Sequence, residues 1–117
     1  MRVLIVDDDT ETAEITAECL MMDGDVTVQI AGNGNSAVLA VATFAPDAIL
    51  LDVELSDGSG LDLAVDLKVL TRGHARIIIF SGTISEFQSG PLPVGVDAWL
   101  SKPATLDELR ASIRGQL

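Results

Sequence analysis

Apolar residues in this chain fall into short dense runs, separated by longer stretches in which they recur every three or four positions. The runs Arg2–Val6, Val26–Ala31, Ala48–Leu51 and Ile77–Phe80 are rich in Val, Ile and Leu, and Ala98–Leu100 is a weaker fifth. Residues 3–6, 48–51 and 77–80 are apolar throughout instead of alternating. Strands covered on both faces read this way, which predicts central strands of a parallel sheet. Helical spacing fills the intervals. Residues 10–22 carry Ile15 and Cys19 four apart with Leu20 beside them, and residues 35–44 are almost wholly small or apolar. Residues 60–71 place Leu63, Leu67 and Leu70 on one face, and residues 105–114 do the same with Leu106, Leu109 and Ile113. Thr105 and Glu108 form a T-x-x-E capping box, which marks a helix start. Strand and helix therefore alternate, and the expected architecture is α/β: a doubly wound, five-stranded parallel sheet with helices on both faces.

One segment breaks the rhythm. Ser85–Val96 should hold the fourth helix, yet it contains Ser89-Gly90-Pro91-Leu92-Pro93 and Gly95. An interior proline costs a helix about 3 kcal/mol and a glycine about 1 kcal/mol. The expectation is at most one or two turns near Ser85–Ser89 and irregular chain beyond. No internal repeat, linker or low-complexity tract interrupts the sequence, so residues 1–117 read as one domain with one core.

Composition narrows the function. Apolar residues make up 48% of the chain, enough for a sizeable core. The net charge of −11 disfavours contact with nucleic acid or an anionic membrane, and is compatible with a cation-binding pocket and a basic protein partner. No apolar run approaches the roughly 20 residues of a membrane span, and no secretory signal is visible. Cys19 is the single cysteine, which precludes an internal disulfide and fits a reducing, cytoplasmic setting.

The chemistry gathers at the ends of the apolar runs. Asp7 and Asp8 follow the first, Asp52 the third, Ser81 the fourth and Lys102-Pro103 the fifth. In a doubly wound sheet, right-handed crossovers bring these ends to one edge, where ligands bind at the reversal of strand order. Carboxylates crowded there raise a pKa or recruit a cation. A hard divalent ion such as Mg²⁺ takes one or two carboxylates and keeps open positions that suit phosphoryl oxygens. A carboxylate can itself act as a nucleophile and become an aspartyl-phosphate, while an ammonium and a hydroxyl steady the phosphoryl oxygens.

The ordered set Ile5-Val6-Asp7-Asp8-Asp9, Ile49-Leu50-Leu51-Asp52-Val53-Glu54-Leu55, Gly58-Ser59-Gly60-Leu61, Phe80-Ser81-Gly82 and Leu100-Ser101-Lys102-Pro103 resembles the receiver domain of bacterial two-component response regulators. The resemblance spans essentially the whole chain and implies a flavodoxin-like (βα)5 fold. It implies that Asp52 is the phosphoacceptor, that Asp8 binds Mg²⁺ (or Mn²⁺) directly and Asp7 mainly through water, and that the Glu54 backbone carbonyl is a further ligand. Lys102 would pair with the phosphoryl group, Ser81 would be the switch hydroxyl and Trp99 the aromatic whose rotamer follows it. Glu54 and Thr83 would tune the lifetime of the phosphoryl group, and the Lys102–Pro103 bond would be cis. The donor would be a sensor histidine kinase or a phosphotransfer protein, and the output an unidentified protein. The family usually has proline where Ser56 stands, which implies a looser loop after Asp52. The proline-rich segment puts output through the family's usual surface in doubt.

Blander readings stand beside these. Strand-end aspartates also serve as helix N-caps, and Ser81 or Lys102 alone would be ordinary loop residues. Cys19 reads as a small core hydrophobe, His74 as a solvated loop histidine, and Glu11, Glu14 and Glu18 as an exposed helix face. The uncharged helix 35–44 implies a homodimer or docking surface, set against a plain alanine-rich exterior. Two other functions stay open: a haloacid-dehalogenase-like phosphatase, although Asp52-Val53-Glu54 lacks that family's second Asp, and a phosphate-independent interaction module. The chain is expected to be either a stand-alone regulator or a receiver excised from a longer protein.

Overall fold

The computed structural model describes residues 1–82 and 91–116. The elements run β1 (Arg2–Val6), α1 (Thr10–Met21), β2 (Thr27–Ala31), α2 (Gly34–Phe44), β3 (Ala48–Leu51), β4 (Glu54–Leu55), β5 (Gly58–Ser59), α3 (Gly60–Leu70), β6 (Arg76–Ser81), β7 (Ala98–Ser101) and α4 (Leu106–Arg114). Five strands form a parallel sheet in the order β2-β1-β3-β6-β7, and β4 and β5 make a small antiparallel hairpin. Strand order reverses between β1 and β3, the position where such sheets open a crevice.

Alternate strand residues separate the core into two layers. Leu4, Val6, Ile49, Leu51, Ile77 and Ile79 meet Ala37, Ala40 and Val41 of α2 and Ala64 and Leu67 of α3. Val3, Ile5, Leu50, Ile78 and Phe80 meet Ala13, Ala17 and Leu20 of α1 and Leu109 and Ile113 of α4. Burial on both faces is why these strands are apolar at every position, each buried Leu or Ile contributing about 1.5–3 kcal/mol.

Two helices present a different stripe from the one their largest residues predict. In α1 the buried positions are Ala13, Thr16, Ala17 and Leu20, while Ile15 is 57% exposed. In α3 they are Gly60, Ala64 and Leu67, while Leu70 is 52% exposed. Small residues let these helices lie close to the sheet, so the contact follows the alanines and glycine together with Leu20 and Leu67, and Ile15 and Leu70 turn outward. Cys19 is half-buried against the α1–α4 layer, as its helix position predicts. The Thr105–Glu108 capping box is formed in both directions, and Gly115 ends α4 in the left-handed region.

Residues 91–97 carry no helix, in line with their prolines. They dock onto α3 instead. Gly95, at φ +85°, lies so close to α3 that a Cβ there would sit 3.0 Å from the Ala64 carbonyl oxygen. The Asp97 carboxylate accepts hydrogen bonds from Lys68 Nζ at 2.6 Å and from the Ile77 amide at 2.8 Å. Burial alone would raise the Asp97 pKa, but these bonds outweigh it and hold the carboxyl below its usual range. Residues 83–90, and with them Thr83 and the expected turns at Ser85–Ser89, lie outside the described residues.

Candidate functional site

The backbone ladders carry the strand-end residues to one place. The Asp7 amide donates to the Ala31 carbonyl at 3.1 Å, the Asp52 amide to the Val6 carbonyl at 3.0 Å and the Lys102 amide to the Ser81 carbonyl at 3.1 Å. Each bond extends parallel pairing one residue past its strand, which fixes where the side chains emerge. The Lys102–Pro103 peptide is cis, as the motif implies.

Asp7, Asp8 and Asp52 converge so that one carboxylate oxygen from each lies within 4.8 Å of the others. Asp7 is buried, Asp52 half-buried and Asp8 exposed. Lys102 reaches across the group: its Nζ is 2.6 Å from Asp7 Oδ2 and 3.5 Å from Asp52 Oδ2, and it lies 5.4 Å from the Phe80 ring centroid. Burial disfavours its ammonium, yet the Asp7 hydrogen bond and the charges of Asp52 and Asp7 outweigh that effect and raise its pKa. The second Asp52 oxygen, Oδ1, accepts from the Glu54 amide at 3.4 Å.

These groups open onto a cavity of about 360 Å³ lined by Asp8, Asp9, Asp52, Glu54, Leu55, Ser81, Gly82 and Lys102. Ser81 is buried at the end of β6. Trp99 pairs in register with Ile79, two residues before Ser81, and packs half-buried on the α2–α3 side. Ser81 and Trp99 therefore share one face of adjacent strands. Three carboxylates and one ammonium leave an excess of negative charge in an all-oxygen donor set, which fits a hard divalent cation better than a transition metal.

Three further residues shape the site. Asp9 caps α1, accepting from the Thr12 amide at 3.2 Å and from the Thr12 hydroxyl at 2.9 Å. Asp57 accepts from the Gly34 and Asn35 amides at the start of α2. Gly60 donates its amide to the Val53 carbonyl at 2.7 Å, and a Cβ there would fall 1.9 Å from the Asp52 carbonyl oxygen. Asp9 and Thr12 stand at cap spacing in the sequence and Gly60 lies in the Gly58-Ser59-Gly60-Leu61 motif, but the Asp57 contact has no local signal, because it joins segments far apart in the sequence that meet only in the fold.

The response regulator receiver domain profile matches residues 3–114. Response regulator MprA of Mycobacterium leprae is 36% identical over 119 residues, covering 100% of this chain and 51% of that protein. The probable transcriptional regulatory protein TcrX of Mycobacterium tuberculosis is 32% identical, covering 98% and 49%. The chain thus spans about half the length of the curated relatives it matches. Among solved structures, a CheY-like receiver domain protein from Methanospirillum hungatei superposes with a TM-score of 0.86 at 28% identity, covering 98% of this chain and 91% of that one. The response regulator TrrA of Thermotoga maritima, solved in complex with Mg²⁺ and BeF, gives 0.83 at 26%, covering 99% and 98%.

Proposed function

The chain belongs to the response regulator receiver family, and from that premise we propose that Asp52 accepts a phosphoryl group in a Mg²⁺-dependent step. The observation that carries this reading is the meeting of Asp7, Asp8 and Asp52 within 4.8 Å, with Lys102 bridging Asp7 and Asp52. An Asp52 oxygen attacks the donor phosphorus. The bond from phosphorus to the donor's imidazole nitrogen breaks, and that nitrogen keeps the electron pair and takes a proton from water. Lys102 neutralises the transferred oxygens and Ser81 donates to one of them. Asp7, Asp8, Asp52 and the Glu54 backbone carbonyl are the groups that would hold Mg²⁺ (or Mn²⁺), which when bound offsets the carboxylate charge and polarises the phosphoryl oxygens.

In this reading residues 1–117 act as one receiver domain, a switch that turns over its own phosphoryl group and no separate substrate. A sensor histidine kinase or a phosphotransfer protein supplies the group, an unidentified output protein reads it, and Trp99 reports the Ser81 position. Glu54 and Thr83 set its lifetime. Incubation with Mg²⁺ and acetyl phosphate should give an acid-stable, hydroxylamine-labile adduct seen by intact mass, abolished by chelation. Sustained turnover of an aryl phosphate would favour the phosphatase reading, and absence of any adduct the phosphate-independent module.

The α2 face supplies a self-association surface. Residues 26–46, which include the edge strand β2 and α2, contain no charged side chain in a chain of net charge −11. Leu39 is 72% exposed there, beside a groove lined by Gln29, Ile30, Ser36 and Thr43. A second copy offering the same neutral face meets it without like charges in contact. Sedimentation should show weak, concentration-dependent dimers that Leu39→Glu removes; a monomer at all concentrations in both proteins would refute the dimer.

A further inference from the structure

The hairpin that flanks Asp52 is too small to hold itself. Its strands pair at only two positions, Glu54 with Ser59 and Leu55 with Gly58. Ser56, Asp57, Gly58 and Ser59 are exposed, and only Leu55 is half-buried. Isolated hairpins larger than this are marginal in water. Yet its first residue, Glu54, lines the acidic cavity and donates its amide to Asp52. Something outside the hairpin must fix it.

Its base is fixed by Gly60, whose amide is bound to the Val53 carbonyl. Its tip is fixed by Asp57. The carboxylate takes the Gly34 amide on Oδ1 at 2.9 Å and the Asn35 amide on Oδ2 at 3.1 Å, closing a two-pronged clasp onto the first turn of α2. The fit is close: a Cβ on Gly34 would stand 3.2 Å from Asp57 Oδ1. Helix starts leave amides without partners, and a carboxylate there is favoured by hydrogen bonding and by the helix dipole. Those two backbone bonds hold the Asp57 carboxyl below its usual range.

We infer that Asp57 is a positioning residue for the site: by anchoring the hairpin tip to α2, it fixes the Glu54 backbone beside Asp52 and preorganises the cavity for its cation. The inference rests on the metal reading proposed above and adds to it a residue that touches neither cation nor phosphoryl group. The competing account is that Asp57 only stabilises α2. A second cap on the same helix separates the two, because the Asn33 side chain accepts from the Ser36 amide at 2.8 Å, within the helix start itself.

The test compares wild type, Asp57→Ala and Asn33→Ala by thermal melting, amide hydrogen exchange and calorimetric titration with Mg²⁺. Both variants should melt below wild type. Asp57→Ala alone should speed exchange of the Glu54 and Gly60 amides about tenfold. It should also weaken Mg²⁺ binding by about fivefold, less than the 10–100-fold typical of groups bonded directly to ligands. Asn33→Ala should leave both unchanged. Wild-type exchange and affinity in Asp57→Ala, or equal effects from Asn33→Ala, would overturn the inference. A wild-type protein that binds no Mg²⁺ would overturn the metal reading and the preorganising role with it, while the exchange rates still decide the clasp.

Discussion

Asp52→Asn should yield no phosphoryl adduct, and in chelator it should melt above wild type. The two effects have one source. The amide matches the carboxylate in shape, so packing survives, but it is a far poorer nucleophile toward phosphorus. It also removes one of three negative groups held within 4.8 Å of each other. Unit charges 4 Å apart interact by about 1 kcal/mol in water and about 4 kcal/mol at an effective dielectric constant of 20. The Lys102 attraction to Asp52, at 3.5 Å, is longer than its 2.6 Å bond to Asp7, which the variant keeps. Repulsion relieved therefore exceeds attraction lost, and the gain should be roughly 3–6 °C in melting temperature. Mg²⁺ should raise wild type more than the variant, since it binds the native three-carboxylate site better.

Lys102→Met should show the opposite sign. Its ammonium is the one cation facing this cavity among the described residues. Without it, Asp7 is buried beside two other acids and the chelator-treated protein should melt below wild type. Mg²⁺ should then stabilise the variant more than it stabilises wild type, because it no longer competes with the ammonium for Asp7. Adduct formation should fall by about 100-fold, the scale of removing one positioned electrostatic donor. Differential scanning fluorimetry with Mg²⁺ and chelator, beside intact mass, reads all of this. Shifts of the same sign in Asp52→Asn and Lys102→Met would defeat the charge account.

The sheet was legible because burial on both faces leaves a mark that short windows retain: Val3–Val6, Ala48–Leu51 and Ile77–Phe80 have no polar position at all. The strand-end acids were legible for the same reason, since an abrupt switch from apolar to Asp locates the sheet edge. Helix orientation was less so. Ile15 and Leu70 draw the eye by size, but α1 contacts the sheet through Ala13, Ala17 and Leu20 and α3 through Ala64 and Leu67, because the small residues set which face approaches closely. The site's supports were hidden most deeply. Asp57 and Gly34 stand 23 residues apart, and nothing near either announces the other.

Gly60→Ala is expected to be the most damaging glycine-to-alanine change among the described residues. The added Cβ would sit 1.9 Å from the Asp52 carbonyl oxygen, 2.9 Å from its carbonyl carbon and 3.0 Å from Val53 Cα. All three are backbone atoms, so no side chain can rotate aside. Either α3 withdraws from β3, opening gaps around Ala64 and Leu67, or the segment after Asp52 moves and the Gly60–Val53 hydrogen bond breaks. Overpacking of this kind costs about 1–3 kcal/mol in a yielding core, and rigid backbone on both sides puts this case at or beyond the upper end. Melting should fall by roughly 10 °C or more. Alanine favours helix over glycine by about 1 kcal/mol, so propensity alone would raise stability, and the sign of the shift decides between the two effects. Gly24→Ala supplies the control, because a Cβ there meets nothing within 4 Å and its melting point should stay close to wild type. At temperatures where Gly60→Ala is still folded, its phosphoryl uptake should remain depressed, since the displaced backbone is that of Asp52 itself. A Gly60→Ala protein that melts with wild type and phosphorylates normally would show that α3 does not approach Asp52 this closely.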